Sequence, residues 1–262
     1  MASLPPFSRP IWGLLLDLDG VVYVRGAPLP GALASIARLR AAGVPFRFVT
    51  NTTRKPRRRI LADLAAMGLA LAPEDLFTPA SLGREALIRR GARPCLLIHP
   101  DLAEDFAGLE EGDDVVVLGD AGAYFTYERL NRAFRLIHGG ADFWALARNR
   151  NFLDGDGALS LDLGGFVAAL EYASGRQARI FGKPAPDFFR LAVAALGLAP
   201  ERVLMVGDDA EADVGGAMAA GLCGALVRTG KYQPGQEARL PLPPDVFAED
   251  LPEVVALLLD QR

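Results

Sequence analysis

The stretch that most restricts what this chain can become is Gly13-Leu14-Leu15-Leu16-Asp17-Leu18-Asp19-Gly20-Val21-Val22. Three consecutive leucines after Ile11 and Trp12 predict a short strand buried on both faces, the kind found inside a parallel sheet. Side chains alternate along a strand, so Asp17 and Asp19 would leave the same face if the chain stayed extended there. Gly20 marks the place where that geometry ends. Open α/β sheets bind ligands at the carboxyl ends of their strands. Two acids close together at such a place repel each other unless a cation or a shared proton intervenes, and a hard divalent cation with oxygen ligands relieves the repulsion most simply. A solvated Asp-x-Asp-Gly turn has the same sequence, so the remaining strand ends must decide.

Those ends are polar in the same way. Phe46-Arg47-Phe48-Val49-Thr50-Asn51 predicts a second strand closing on Thr50 and Asn51, with Thr52 and Thr53 as candidate helix caps. Ile180-Phe181-Gly182-Lys183-Pro184 places Lys183 between a strand and a helix, and Pro184 suits the first helical position. A cation beside a helix amino terminus is well placed for an anion. Val203-Leu204-Met205-Val206-Gly207-Asp208-Asp209 repeats the apolar strand ending in acids. A helix starting near Asp209 would put Asp209 and Asp213 on one face. N-capping explains one or two of these acids, but not why a second strand end gathers carboxylates.

Between these ends, apolar runs at 95–99, 115–118, 143–147, 179–181, 203–206 and 224–227 alternate with helical spacings such as Leu33/Ile36/Leu39 and Leu130/Phe134/Ile137. That alternation predicts an α/β fold built on parallel sheets. At 262 residues there is room for one or two domains, and the elements between about residues 80 and 179 suffice for a smaller α/β domain inserted into the first. The expected division is therefore a core of residues 1–79 and 180–262 with an insert of 80–179. The Pro-bounded stretch 72–80 reads as a hinge, and a second polar, glycine-rich stretch runs from Asn149 through Asp154-Gly155-Asp156-Gly157. A formal charge of −4 gives no general attraction for nucleic acid or anionic membrane, and the basic run Arg54, Lys55, Arg57, Arg58, Arg59 reads as a solvated helix face. Cys95 and Cys223 are too few for a disulfide framework, which suits free thiols in a reducing cytosol. With no signal-peptide pattern at its start and no run of ~20 apolar residues, the expectation is a soluble cytoplasmic protein.

Taken together, Asp17/Asp19, Thr50/Asn51, Lys183 and Asp208/Asp209/Asp213 resemble the four motifs of the haloacid dehalogenase superfamily. The likeness covers essentially the whole chain. The insert between the second and third motifs resembles the type IIA cap of phosphatases related to 4-nitrophenylphosphatase and phosphoglycolate phosphatase. The phrases VTNTTRK, ALEYASG, GKPAPDFF, GDDAEADVGGA and RTGKY look closer still to one subgroup. It comprises haloacid dehalogenase-like hydrolase domain-containing protein 2 and the phospholysine phosphohistidine inorganic pyrophosphate phosphatases, whose animal members tend to carry Ser where this chain has Asp19.

The resemblance implies a Mg²⁺-dependent phosphatase acting on small phosphorylated metabolites, with a Rossmann-like parallel-sheet core. It implies Asp17 as nucleophile and Asp19 as general acid–base. Asp17, the backbone carbonyl of Asp19, and Asp208 would be the metal ligands. Thr50, Asn51 and Lys183 would bind the phosphoryl group, with Asp209 or Asp213 supporting from behind. The cap would close over the site and, by the same resemblance, mediate a homodimer; Asn149 and Arg148 are its candidate specificity residues. A dehalogenase would need neither Asp19 nor the acids at 208, and a phosphonatase would need a cap lysine, which 81–178 lacks. A non-catalytic phospho-ligand-binding protein of the same fold is the alternative from another class, and a pyrophosphatase or phosphoamidase the alternative within the superfamily. No G-x-G-x-x-G follows the first strand, against a dinucleotide-binding oxidoreductase.

Overall fold

The computed structural model describes residues 7, 9–153 and 158–261; the Asp154–Gly157 part of the polar stretch lies outside them. The chain divides into two compact units, one of residues 1–50, 61–77 and 183–262, the other of residues 51–60 and 78–182.

The first unit is built on a six-stranded sheet in the order Val246–Ala248, Cys223–Val227, Val203–Gly207, Gly13–Asp17, Phe46–Val49, Leu76–Phe77, with every pairing parallel. From the central Gly13–Asp17 strand the chain proceeds outward to one edge and later returns to build the other. Gly13–Asp17 and Val203–Gly207 therefore flank the switch point where such sheets bind ligands. Leu14, Leu15, Leu16, Leu204, Met205 and Val206 are wholly buried, as a sheet covered on both faces requires. Helices Ala32–Ala41 and Leu251–Leu259 pack together in this unit. Leu251–Leu259 starts cleanly because Asp250 caps it, accepting from the Glu253 N–H at 2.9 Å.

The second unit carries a four-stranded parallel sheet, Arg179–Ile180, Asp142–Ala145, Val115–Leu118, Pro94–Leu97, and a hairpin, Asn151–Leu153 with Leu159–Leu161. Helices Tyr127–His138 and Leu163–Ser174 bury Ile137, Val167 and Leu170 against Val116, Leu118 and Phe143. Segment 51–60 belongs here because its basic run is paired. Arg54 Nε lies 3.0 Å from Asp120 Oδ2, Arg58 Nε lies 3.1 Å from Glu104 Oε1, and the Arg57 N–H donates to Asp105 Oδ2 at 3.0 Å. The solvated face expected of that run is thus partly an anchoring face. The stretch 72–80 is also ordered structure, a turn at Pro73–Asp75, the edge strand Leu76–Phe77 and the start of helix Pro79–Arg90.

Candidate active site

Three strand ends of the first unit and the start of its 183–262 segment deliver the site; the strand before Lys183, Arg179–Ile180, belongs to the other sheet. Asp17 closes the central strand; the register pairs it with Val49 and pairs Leu16 with Val206, which brings Thr50 and Asp208 to neighbouring ends. Asp17, Thr50, Lys183, Asp208 and Asp213 are all buried, and Asp213 has no exposed surface. Lys183 Nζ lies 2.8 Å from Asp17 Oδ1 and 2.6 Å from Asp213 Oδ1. The Leu18 N–H donates to the same Asp17 oxygen at 2.8 Å, so two donors fix that carboxylate in one orientation. Carboxylate oxygens of Asp17, Asp208 and Asp213 lie within 4.8 Å of one another. Asp208 Oδ2 accepts from the Lys231 N–H at 2.7 Å, while its Oδ1 is buried without a hydrogen-bond partner among the described residues.

Of the remaining predicted residues, Asp19 and Asp209 belong to the first unit. Asp19 is exposed, and Gly20, at φ 86°, turns the chain so closely over Asp208 that a Cβ there would overlap the carboxylate. Asp209 caps the π-helical turn Ala210–Gly215, accepting from the Glu211 and Ala212 N–H groups at 2.9 and 2.8 Å, and its own N–H donates to Asp213 Oδ2 at 3.1 Å. The two acids four apart thus take separate positions, Asp213 on Lys183 and Asp209 on Lys231 at 3.0 Å. Helix Pro186–Ala194 begins at Pro186 rather than Pro184, so Lys183 stands before a short turn, not at the helix end itself. Asn51 falls in the second unit, where its Nδ2 donates to Asn149 Oδ1 at 3.2 Å. In that unit Arg148 is committed to the buried Glu171 at 2.6 Å.

The family described as haloacid dehalogenase-like hydrolase matches residues 14–122, and the HAD-hydrolase-like family matches residues 180–254. Human haloacid dehalogenase-like hydrolase domain-containing protein 2 is 39% identical over 252 residues, 96% of this chain and 97% of that protein. The chain belongs to the haloacid dehalogenase-like hydrolases. The phospholysine phosphohistidine inorganic pyrophosphate phosphatase of Danio rerio is 38% identical, covering 98% of this chain and 97% of its own. The 4-nitrophenylphosphatase of Thermotoga maritima superposes with a TM-score of 0.87 at 30% identity, over 95% of this chain and 97% of that one. Glycerol phosphate phosphatase of Mycobacterium tuberculosis, solved in complex with magnesium, superposes with a TM-score of 0.83 at 30% identity, over 93% of this chain and 76% of that one. Within the family this hydrolase is of the phosphatase type with a type IIA insert.

The electrostatics of the hydrolase follow from three buried carboxylates facing one buried ammonium. Burial, then Asp17 and Asp213, raise the Asp208 carboxyl well above its usual range. Burial, then Asp17, push Asp213 up to about 7 against the pull of Lys183. Burial alone would lower Lys183, but Asp17 and Asp213 outweigh it and hold the ammonium charged. Desolvation raises the Asp19 carboxyl from its ordinary value, against the pull of Lys231 and Lys183. Burial and mutual repulsion thus raise the proton affinity of these acids where positive charge is short. A divalent cation fits this donor set: the oxygens are hard, closely grouped, and Asp208 Oδ1 is buried with no hydrogen-bond partner among the described residues. Lys231, Thr229 and Gly230 contact the site but received no role from the sequence, although they lie in the RTGKY phrase.

Proposed function

We propose that this hydrolase is a Mg²⁺-dependent phosphatase that cleaves small phosphorylated metabolites through an aspartyl-phosphate on Asp17. The observation that carries the reading is the buried Asp17/Asp208/Asp213 cluster braced by Lys183, with Asp208 Oδ1 unpartnered among the described residues. A phosphate monoester resists attack because its anionic oxygens repel nucleophiles, so the site must neutralise charge while it positions the attacker. Asp17, oriented by Lys183 and the Leu18 N–H, attacks phosphorus as the bond to the leaving oxygen breaks. Asp19 gives that oxygen a proton; its raised pKa keeps more of the acid form available. As a carboxylate it then takes a proton from water, which attacks phosphorus, releases inorganic phosphate and restores Asp17. Thr50 and Asn51 donate to the phosphoryl oxygens, and Lys183 balances charge developing on them. Asp213 holds Lys183, and Asp209 braces Asp213 through its N–H. Asp17, Asp208 and the backbone carbonyl of Asp19 would hold Mg²⁺, which when bound neutralises charge on the transferring group.

In this reading the second unit, residues 51–60 and 78–182, is the specificity cap, with Asn149 contributing to substrate choice. A homodimer through that unit is supported by the apolar, exposed Leu159, Leu161 and Tyr172. A cytoplasmic location is supported by Cys95 and Cys223 being unbridged. Among the described residues no helix is long and apolar enough to cross a membrane.

The test is phosphate release with Mg²⁺ from 4-nitrophenyl phosphate, phosphoglycolate, pyridoxal phosphate, nucleotide and sugar monophosphates, pyrophosphate and phospholysine, against an Asp17→Asn background. Release from esters that vanishes in Asp17→Asn is the expected result. Preference for pyrophosphate or phospholysine would instead give the function of the zebrafish relative's name, and no Asp17-dependent release at all would make the chain a binding protein.

A further inference from the structure

We infer that Thr229-Gly230-Lys231, the loop after strand Cys223–Val227, is a positioning segment that sets the metal-binding orientation of Asp208 and the Asp19-Gly20 turn. The inference rests on the metal reading above. Strand Cys223–Val227 pairs in parallel with Val203–Gly207, matching Leu226 to Gly207, so the loop emerges beside Asp208. Three contacts then converge within three residues. The Thr229 hydroxyl donates to the Gly20 carbonyl. Gly230 sits at φ 61° with its Cα so close to Asp208 and Gly20 that a Cβ would overlap both. The Lys231 N–H donates to Asp208 Oδ2 at 2.7 Å.

A carboxylate on a short side chain can rotate about its last bond, and a metal ligand that rotates binds weakly. Here one oxygen is held by a backbone donor and walled by two glycines, which leaves Oδ1 as the oxygen offered inward. The main chain of Asp208 is held too, since Gln236 Nε2 donates to its carbonyl at 3.0 Å. The Thr229 bond ties this fixed carboxylate to the turn that carries Asp19, so the loop couples the two strand ends that a metal would bridge. The positioning of Asp208 comes from the Lys231 backbone, while its ammonium, half-exposed, is engaged with Asp209.

The experiment is calorimetric titration of the substrate-free protein with MgCl₂, with a urea midpoint measured for each variant. Thr229→Val and Gly230→Ala should weaken Mg²⁺ by about 10- to 100-fold, the usual effect of removing groups that orient metal ligands, whereas Thr229→Ser should stay within about threefold. Loosening of the fold alone would lower the urea midpoint and leave the dissociation constant in place, and that result overturns the inference. If Gly230→Ala does not fold, Thr229→Val decides by itself. Wild-type protein that binds no Mg²⁺ overturns the metal reading and the inference with it; wild-type binding matched by both variants overturns the inference alone.

Discussion

Lys183→Met isolates the electrostatic argument, because methionine has similar length and no charge. Lys183 is 3% exposed and stands 2.8 Å from Asp17 and 2.6 Å from Asp213. Removing it leaves the buried Asp17 and Asp213 without the ammonium that pairs with both. Breaking a buried ion pair by deleting one partner costs about 3–5 kcal/mol, because the orphaned charge stays desolvated. That is about two to four orders of magnitude in the ratio of folded to unfolded protein. With a urea slope near 3 kcal/mol per molar, the midpoint should fall by about 1–1.7 M.

The pH dependence has a definite sign. The Lys183 pKa is raised above its unfolded value of 10.5, so its contribution is complete below that pH and fades only as pH rises through the folded value. Asp213, raised from 3.8 to about 7, has the same sign at lower pH: its preference for the proton favours the folded state fully below pH 3.8, and that advantage is lost as pH climbs through 7. At pH 5 Asp213 is neutral and the variant has one charge fewer to strand. The loss in Lys183→Met should therefore be larger at pH 8 than at pH 5. Metal-free unfolding in urea measures it, by far-UV circular dichroism together with fluorescence, since Trp12 lies in the unit of Lys183 and Trp144 in the other. A loss below about 1 kcal/mol at pH 8, as expected for a surface pair, would refute the reasoning. So would a loss that is larger at pH 5.

Three further outcomes are expected. EDTA should stop phosphate release and Mg²⁺ restore it; turnover indifferent to both would reject the metal assignment. Asp19→Ser should slow alkyl phosphates by about 10²–10⁴ and 4-nitrophenyl phosphate much less, because that leaving group needs little protonation; equal losses across leaving groups would remove Asp19 as the acid. Tyr172, 94% exposed on helix Leu163–Ser174, should matter to assembly, so Tyr172→Glu should turn a dimer into a monomer by light scattering. A wild-type protein that is already monomeric would refute the dimer.

The sheet residues were the most legible part of the fold, because a strand buried on both faces must be continuously apolar. Leu14–Leu16 and Val203–Val206 could hardly be read otherwise. Short edge elements were not legible. Leu76–Phe77 is two residues long between a proline-led turn and a proline-led helix, and composition alone suggested a hinge. Val246–Ala248 is three residues long and lies just after Pro241, Pro243 and Pro244, so no apolar run announces it. The acids at 209 and 213 were legible as a pair but not by role. Spacing of four predicts a shared α-helical face, whereas the chain takes a π-helical turn there and sends the two carboxylates to different lysines. The pairing of the basic run at 54–58 was hidden for a similar reason, since Asp120, Glu104 and Asp105 are distant in sequence.

A parallel sheet explains why the ends of three separated strands converge, but not how three carboxylates come to stand so close. That closeness needs backbone without side chains around them. A Cβ on Gly20 or Gly230 would overlap Asp208, and one on Gly207 would overlap Asp213. Any of these glycines as alanine would force its carboxylate away from the others, lowering their mutual repulsion in the free protein and also the site's hold on a cation. At Gly20 and Gly230 the backbone also stands at φ 86° and 61°, where alanine would be strained whatever the space, so backbone conformation and close approach both call for glycine there. With the three glycines in place the carboxylate oxygens stand within 4.8 Å of one another, a grouping that a hard cation uses and that helix capping does not need.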